Sequence, residues 1–304
     1  MSGEWDRARL DTVQLVPPTP FSADGRDLLG EKLGMRIEKL AAAGIDVFLP
    51  AAGTGEFHSL SVDEVVTCVR IARAAAPAAI VVAPVGFGLA HAVAIGQRAS
   101  AAGANALLLM PPVHPYLCDS GFRDYVHAIR EGVDLPMLAY KRGPVPSDRL
   151  LLELGQSGHL LGVKYAVNDV DAFARFAAMA RGRVGLYCGT AERWAPYFML
   201  AGATGYTSGI GSVAPHVTLA MHRALQARDF VTAQRWLDVL RPLEDFRARD
   251  ADSYNIVAVK YAVSALGDDF GPCRPPQRRL TAEEQSEIRR LLEPLRAADE
   301  QLSR

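Results

Sequence analysis

His159-Leu160-Leu161-Gly162-Val163-Lys164-Tyr165-Ala166-Val167 is a short apolar run with one lysine in it. Asn168 and Asp169 follow, both good helix caps, and Asp171 to Ala180 then carries apolar residues at helical spacing. The pattern predicts a buried strand that delivers Lys164 to its C-terminal end, just before a helix begins. Desolvation there pushes an amine toward neutrality, and a neutral amine is a nucleophile. The chain has five lysines against twenty-eight arginines, so a lysine set into an apolar strand stands out. The alternative is a strand-end lysine whose stem carries its head to water.

Outward from this stretch the same unit repeats. Val13 to Val16, Ile45 to Leu49, Ile80 to Ala83, Ala106 to Met110 and Pro136 to Tyr140 read as strands before it. Arg183 to Cys188 and Gly205 to Ser208 read as strands after it. Between them lie segments of helical period, among them one opened by Ser61 with Glu64 three residues on, a capping box, and one opened by Pro215. Eight strand–helix units in strict alternation imply a parallel sheet, and eight is the number that closes a (β/α)8 barrel. An open doubly wound sheet competes, but it usually carries a glycine-rich phosphate loop after its first strand, and Pro17-Pro18-Thr19 cannot serve as one. The expected fold is therefore an α/β TIM barrel over 1–228. A helical extension over 229–304 follows, with helices at Phe230 to Arg247, Ser253 to Leu266 and Thr281 to Leu295.

Composition narrows the function. A formal net charge of −1 and 49% apolar residues describe a globular chain without a basic nucleic-acid footprint. No apolar run approaches a membrane span or a signal peptide, and the four cysteines lack metal spacing, so a reduced cytoplasmic setting is expected. No histidine–carboxylate set has metal spacing either, so neither metal nor cofactor is called for.

In such barrels the chemistry sits on loops that follow the strands. Tyr140 ends the strand before Lys164, and its phenol can move protons at the same mouth. After the second strand comes Gly53-Thr54-Gly55-Glu56, where exposed amides and the Thr54 hydroxyl suit a carboxylate. Arg142, just beyond Tyr140 and preceded by Lys141, forms a positive pair fit to clamp a distal carboxylate, or is a surface arginine. His114, and to a lesser extent His58, are candidate proton carriers on top-face loops. Gly189 after the seventh strand and Ser208 at the end of the eighth are candidate substrate contacts, with turn formation as the alternative. Lys260 lies in a second Val259-Lys260-Tyr261-Ala262-Val263 run, but on a helix outside the barrel, where solvent exposure is expected. Glu56 is read as structural, at the start of a helical region.

Gly53-Thr54-Gly55-Glu56, Tyr140, Gly162-Val163-Lys164 and the opening Thr19-Pro20-Phe21 with Asp24-Gly25 resemble the dihydrodipicolinate synthase/N-acetylneuraminate lyase family. The resemblance covers nearly the whole chain. It implies a (β/α)8 barrel with a C-terminal helical extension, a homotetramer or homodimer, and class I chemistry on a 2-oxo acid. Lys164 matches the Schiff-base lysine, Tyr140 the catalytic tyrosine, and Gly53-Thr54 the turn that binds the 2-oxo acid's carboxylate, Thr54 serving catalysis too. The synthase usually has threonine where this chain has Gly53, tyrosines after the fourth strand where it has Pro111 to Tyr116, and Asn-x-Pro where it has Lys141-Arg142-Gly143. Gly53-Thr54-Gly55-Glu56-Phe57 and Tyr140-Lys141-Arg142 resemble instead 5-dehydro-4-deoxyglucarate dehydratases, which act on a sugar diacid. The expected activity is dehydration and decarboxylation of such a diacid. The alternatives are a pyruvate-dependent aldolase of 2-keto-3-deoxy sugar acids, dihydrodipicolinate synthase, or a barrel that binds metabolites without catalysis.

Overall fold

Alternation of apolar strands with amphipathic helices leaves each strand buried on both faces, and the chain satisfies this by closing a ring. The computed structural model describes residues 6–180 and 182–304. Strands β1 (Val13–Leu15), β2 (Val47–Phe48), β3 (Ile80–Val85), β4 (Ala106–Leu109), β5 (Met137–Lys141), β6 (Gly162–Tyr165), β7 (Gly185–Cys188) and β8 (Gly205–Ser208) pair in parallel in chain order. β8 returns to β1 through Val13, Gln14 and Leu15 opposite Tyr206, Thr207 and Ser208, which closes the barrel. This is the expected TIM barrel.

The helices α1 (Gly30–Ala42), α2 (Val62–Ala75), α3 (Leu89–Ala101), α4 (Asp119–Gly132), α5 (Asp148–Gln156), α6 (Val170–Ala180), α7 (Ala191–Leu200) and α8 (Pro215–Gln226) follow the strands in turn. The α2 capping box is present in both directions: Glu64 N donates to Ser61 Oγ at 3.2 Å and Ser61 N to Glu64 Oε2 at 2.9 Å. α9 (Phe230–Arg247), a single distorted turn α10 (Arg249–Asp252), α11 (Asn255–Ala265) and α12 (Ala282–Leu302) complete the chain. α12 runs past the expected end at Leu295, because Ala298 and Leu302 continue the apolar face of Leu291 and Leu295 at helical spacing. Among the described residues no helix is long and apolar enough to cross a membrane.

Strand alternation decides what fills the lumen. Tyr140, Lys164 and Tyr187 stand opposite one another across β5, β6 and β7. Tyr187 lies across Gly162 and Gly185: a Cβ at Gly162 would come within 2.7 Å of the Tyr187 ring. Those two glycines therefore make room for a tyrosine floor beneath the lysine. Tyr165, one residue on from Lys164, points the other way and packs against Phe173 and Phe176 at 5.1 and 5.8 Å between ring centres.

Candidate active site

β6 is buried throughout, and it carries Lys164 to the upper lumen with only 3% of the residue exposed. Its Nζ stands 4.0 Å from the centre of the Tyr140 ring. Burial is the main cause, and the Arg142 guanidinium the second, of a drop in the amine's pKa from 10.5 to about 7. Lys141 and Lys260 are each paired with a carboxylate, those of Asp148 and Glu56, whereas among the described residues Lys164 has no such partner. At neutral pH a large fraction of Lys164 is thus the free amine, the form that attacks a ketone. Burial raises the pKa of the Tyr140 phenol, opposed by Arg142 and aided by Asp252. A protonated phenol beside a neutral amine is a donor ready for a departing or forming hydroxyl.

Lys141 corrects the expected positive pair. It is the last residue of β5, so it faces away from Tyr140 into the helical layer. There it donates to the Pro146 carbonyl at 2.7 Å and pairs with Asp148 at 3.3 Å. Of the two only Arg142 reaches the mouth, half-exposed, with Asp252 at 3.9 Å as its carboxylate contact.

The loop after β2 supplies the opposite wall. Ala51 and Glu56 bracket it in left-handed conformations, at φ of 59° and 65°. A Cβ at Gly55 would sit 2.8 Å from the Ala51 backbone, so the tight turn excludes any side chain there. Gly53 is different, since a Cβ on it meets nothing within 4 Å. Thr19 donates to the Gly55 carbonyl at 2.7 Å and fixes the turn from below. Gly53 and Thr54 border the same cavity as Lys164, Tyr140 and Arg142, a space of about 780 Å³.

The remaining expectations divide. Gly189 borders the cavity, and a Cβ there would come within 2.8 Å of Ala166 Cβ, 2.9 Å of the Tyr165 carbonyl oxygen and 3.0 Å of Lys164 Cγ, so its place is to let the chain after β7 pass close against the end of the lysine strand. Ser208 borders the cavity as well, but its hydroxyl donates to the buried Glu192 and accepts from Gly211 N at 2.7 Å. The lumen side of β8 is given by Thr207, which sequence reasoning did not single out. Its hydroxyl donates to the Cys188 carbonyl at 3.4 Å. Glu192 belongs to the scaffold behind the site: Thr218 also donates to it at 2.9 Å, and burial with nearby Glu244 pushes its pKa up.

His114 lies outside the cavity, exposed in the loop after β4, with its Nδ1 accepting from Tyr116 N at 3.1 Å. His58, the weaker of the two histidines by sequence, is the one at the cavity wall, and burial lowers its pKa. The extension contributes more than expected, since Arg247 of α9 and Arg278 before α12 line the mouth, as does Arg193 of α7. Nothing local in the sequence marks these three among so many arginines. Among the described residues no group of three or more His, Cys, Asp or Glu side chains is placed to hold a metal ion.

Comparison with known proteins agrees with this fold. The model of the dihydrodipicolinate synthetase family matches residues 10–295. A Streptomyces coelicolor protein named probable 5-dehydro-4-deoxyglucarate dehydratase 1 is 32% identical over 291 residues, covering 91% of this chain and 90% of that one. A Xanthobacter autotrophicus protein named probable 5-dehydro-4-deoxyglucarate dehydratase is 34% identical over 285 residues, covering 91% and 93%. Among solved structures, dihydrodipicolinate synthase from Bacillus clausii superposes with a TM-score of 0.90 at 34% identity, covering 94% of this chain and 98% of that one.

Proposed function

This chain belongs to the dihydrodipicolinate synthetase family, whose members are class I Schiff-base lyases, and from that premise we propose that it dehydrates and decarboxylates a sugar diacid such as 5-dehydro-4-deoxyglucarate. The observation that carries the choice is the cavity itself. Lys164 and Tyr140 lie at its base, the Gly53-Thr54 turn at one wall, and a loosely held Arg142 guanidinium at the rim. Gly53 and Thr54 receive the carboxylate next to the ketone. Lys164 adds to that ketone and expels water to form the imine. The imine draws electrons from the neighbouring carbon, which loses a proton, and the hydroxyl one carbon further leaves as water with a proton from Tyr140. The distal carboxylate, held by Arg142 through two parallel hydrogen bonds, then departs as carbon dioxide, its bonding pair passing through the new carbon–carbon double bond into the imine to leave a dienamine. Proton uptake by that dienamine and hydrolysis of the imine release the product and free Lys164. The names borne by the curated relatives support this substrate class.

A second reading, condensation or cleavage with pyruvate as in a synthase or an aldolase, is favoured by the 34% identity to the Bacillus clausii synthase. It leaves Arg142 unused. The two separate in an assay of 5-dehydro-4-deoxyglucarate, 2-keto-3-deoxygluconate, N-acetylneuraminate, and pyruvate with aspartate semialdehyde. Arg142→Ala should lower kcat/KM for the diacid by about ten- to a hundredfold, the worth of a charged hydrogen bond, and leave monoacids little changed. Equal losses on diacid and monoacid, or no turnover of the diacid by the unaltered enzyme, would transfer the assignment to the second reading. Failure of borohydride to trap any 2-oxo acid on Lys164 would point to a binding barrel without catalysis.

A further inference from the structure

Lys260 was expected in solvent, and it is 1% exposed. The reason lies in its helix: Val257, Ala258, Val259, Ala262 and Val263 are buried around it, so α11 is apolar on nearly every side. The amine donates to Glu56 Oε1 at 2.7 Å and to the Pro272 carbonyl at 2.8 Å, and stands 4.0 Å from the centre of the Phe21 ring. The other Glu56 oxygen accepts from Arg274 N at 2.9 Å. Glu56, itself 2% exposed, is thus gripped on both oxygens by the extension, across more than two hundred residues of chain.

A buried ion pair is a poor source of stability, because desolvation consumes most of the attraction, and an apolar pair of the same volume often does as well. What this pair does hold is a backbone conformation. Glu56 has φ of 65°, a left-handed conformation that a residue with a side chain keeps only when its surroundings enforce it. Glu56 lies two residues after Thr54, and the Gly55 turn between them admits no side chain. Lys260 does not border the cavity, so it is no rival to Lys164 as the imine lysine. With methionine at position 260, Glu56 Oε1 loses its donor, and one of the two contacts that hold the side chain inward against its left-handed backbone is gone. Relaxation of Glu56 out of that conformation carries Thr54 with it.

We infer that Lys260 and Glu56 are positioning residues, through which the C-terminal extension sets the Gly53-Thr54 turn and hence the affinity for the 2-oxo acid's carboxylate. This rests on the reading of that turn as the carboxylate site. The test uses the full chain and pyruvate with borohydride, reading by mass the half-saturating pyruvate and the limiting fraction trapped on Lys164. Lys260→Met and Glu56→Gln should each raise half-saturation by about tenfold or more, since small misplacements of a binding group cost on this scale. The limiting fraction should stay at the wild-type level, which general unfolding would not allow. Thr54→Val should raise half-saturation too, and Thr54→Val with Lys260→Met should bind no worse than Thr54→Val alone. Should Lys260→Met not fold, the double variant Glu56→Gln with Lys260→Met removes both charges and takes its place in the same measurement. Unchanged half-saturation in the folded Lys260 and Glu56 variants, or losses that multiply with Thr54→Val, would overturn the inference alone. Unchanged half-saturation in Thr54→Val would overturn the reading of the turn, and the inference with it.

Discussion

Replacing Lys164 by methionine should stabilise the protein, by an amount that depends on pH. The residue is 3% exposed, and burial, with Arg142 second, lowers its pKa from 10.5 to about 7. An unfolded lysine keeps the higher value. Between about pH 7 and 10.5 the unfolded chain therefore holds a proton that the folded chain has given up, and stability rises with pH across that window. The cost of the buried ammonium is carried in full only below it. At about 1.4 kcal/mol per unit, a drop from 10.5 to about 7 amounts to about 5 kcal/mol below pH 6, about 4 at pH 7 and about 1 by pH 10. Methionine has similar length and no charge, so the stability difference between Lys164→Met and wild type should trace that fall. Urea midpoints and slopes for both proteins at about pH 6, 8 and 10 measure it. A difference that is flat with pH, or a wild type more stable than the variant at pH 6, would refute the account of a desolvated amine. Arg142→Gln in the wild type should narrow the gap, because the guanidinium is the second cause of the shift.

Tyr140→Phe should lose about 10²–10⁴ in turnover while borohydride still traps a 2-oxo acid on Lys164, and near wild-type turnover would reduce the phenol to packing. In the wild type, the rate of trapping should rise with pH through about 7 and then level off, as the lysine gives up its proton. A limb near the ordinary lysine value would contradict it. Gly55→Ala forces a Cβ to 2.8 Å from the Ala51 backbone and should cost about 1–3 kcal/mol and weaken 2-oxo acid binding. Gly53→Ala, with nothing within 4 Å of its Cβ, should keep the wild-type urea midpoint, and equal losses at both positions would show that the turn is not built as described.

Local signals carried the fold. Alternating strand and helix periods, the Ser61 and Glu64 capping box, Pro215 at the start of α8 and the apolar run around Lys164 each act over a few residues, and a chain displays them directly. The same signals placed Lys164, Tyr140, Gly53, Thr54, Arg142 and Gly189 at strand ends, and closure of the barrel brings them to one cavity. Part of what was missed was also local: once Tyr140 faces the lumen, the two-residue period of a strand turns Lys141 away. Ser208 and Thr207 exchange roles for the same reason, but only the pairing of β8 with β1 decides which of them faces inward.

The rest is decided by contacts between segments far apart in the chain. His114 and His58 both follow strands and both are exposed, and the path of each loop alone separates a ring outside the cavity from one at its wall. Arg247 and Arg278 reach the mouth because the extension packs over it. The apolar faces of α11 bury Lys260, and its charge is met there by Glu56, more than two hundred residues away. Periodicity and turn chemistry are properties of neighbours in sequence, so the sequence alone determines them. The partner of a charge, and the water it loses, depend on what the closed barrel brings beside it, and only the tertiary structure decides that.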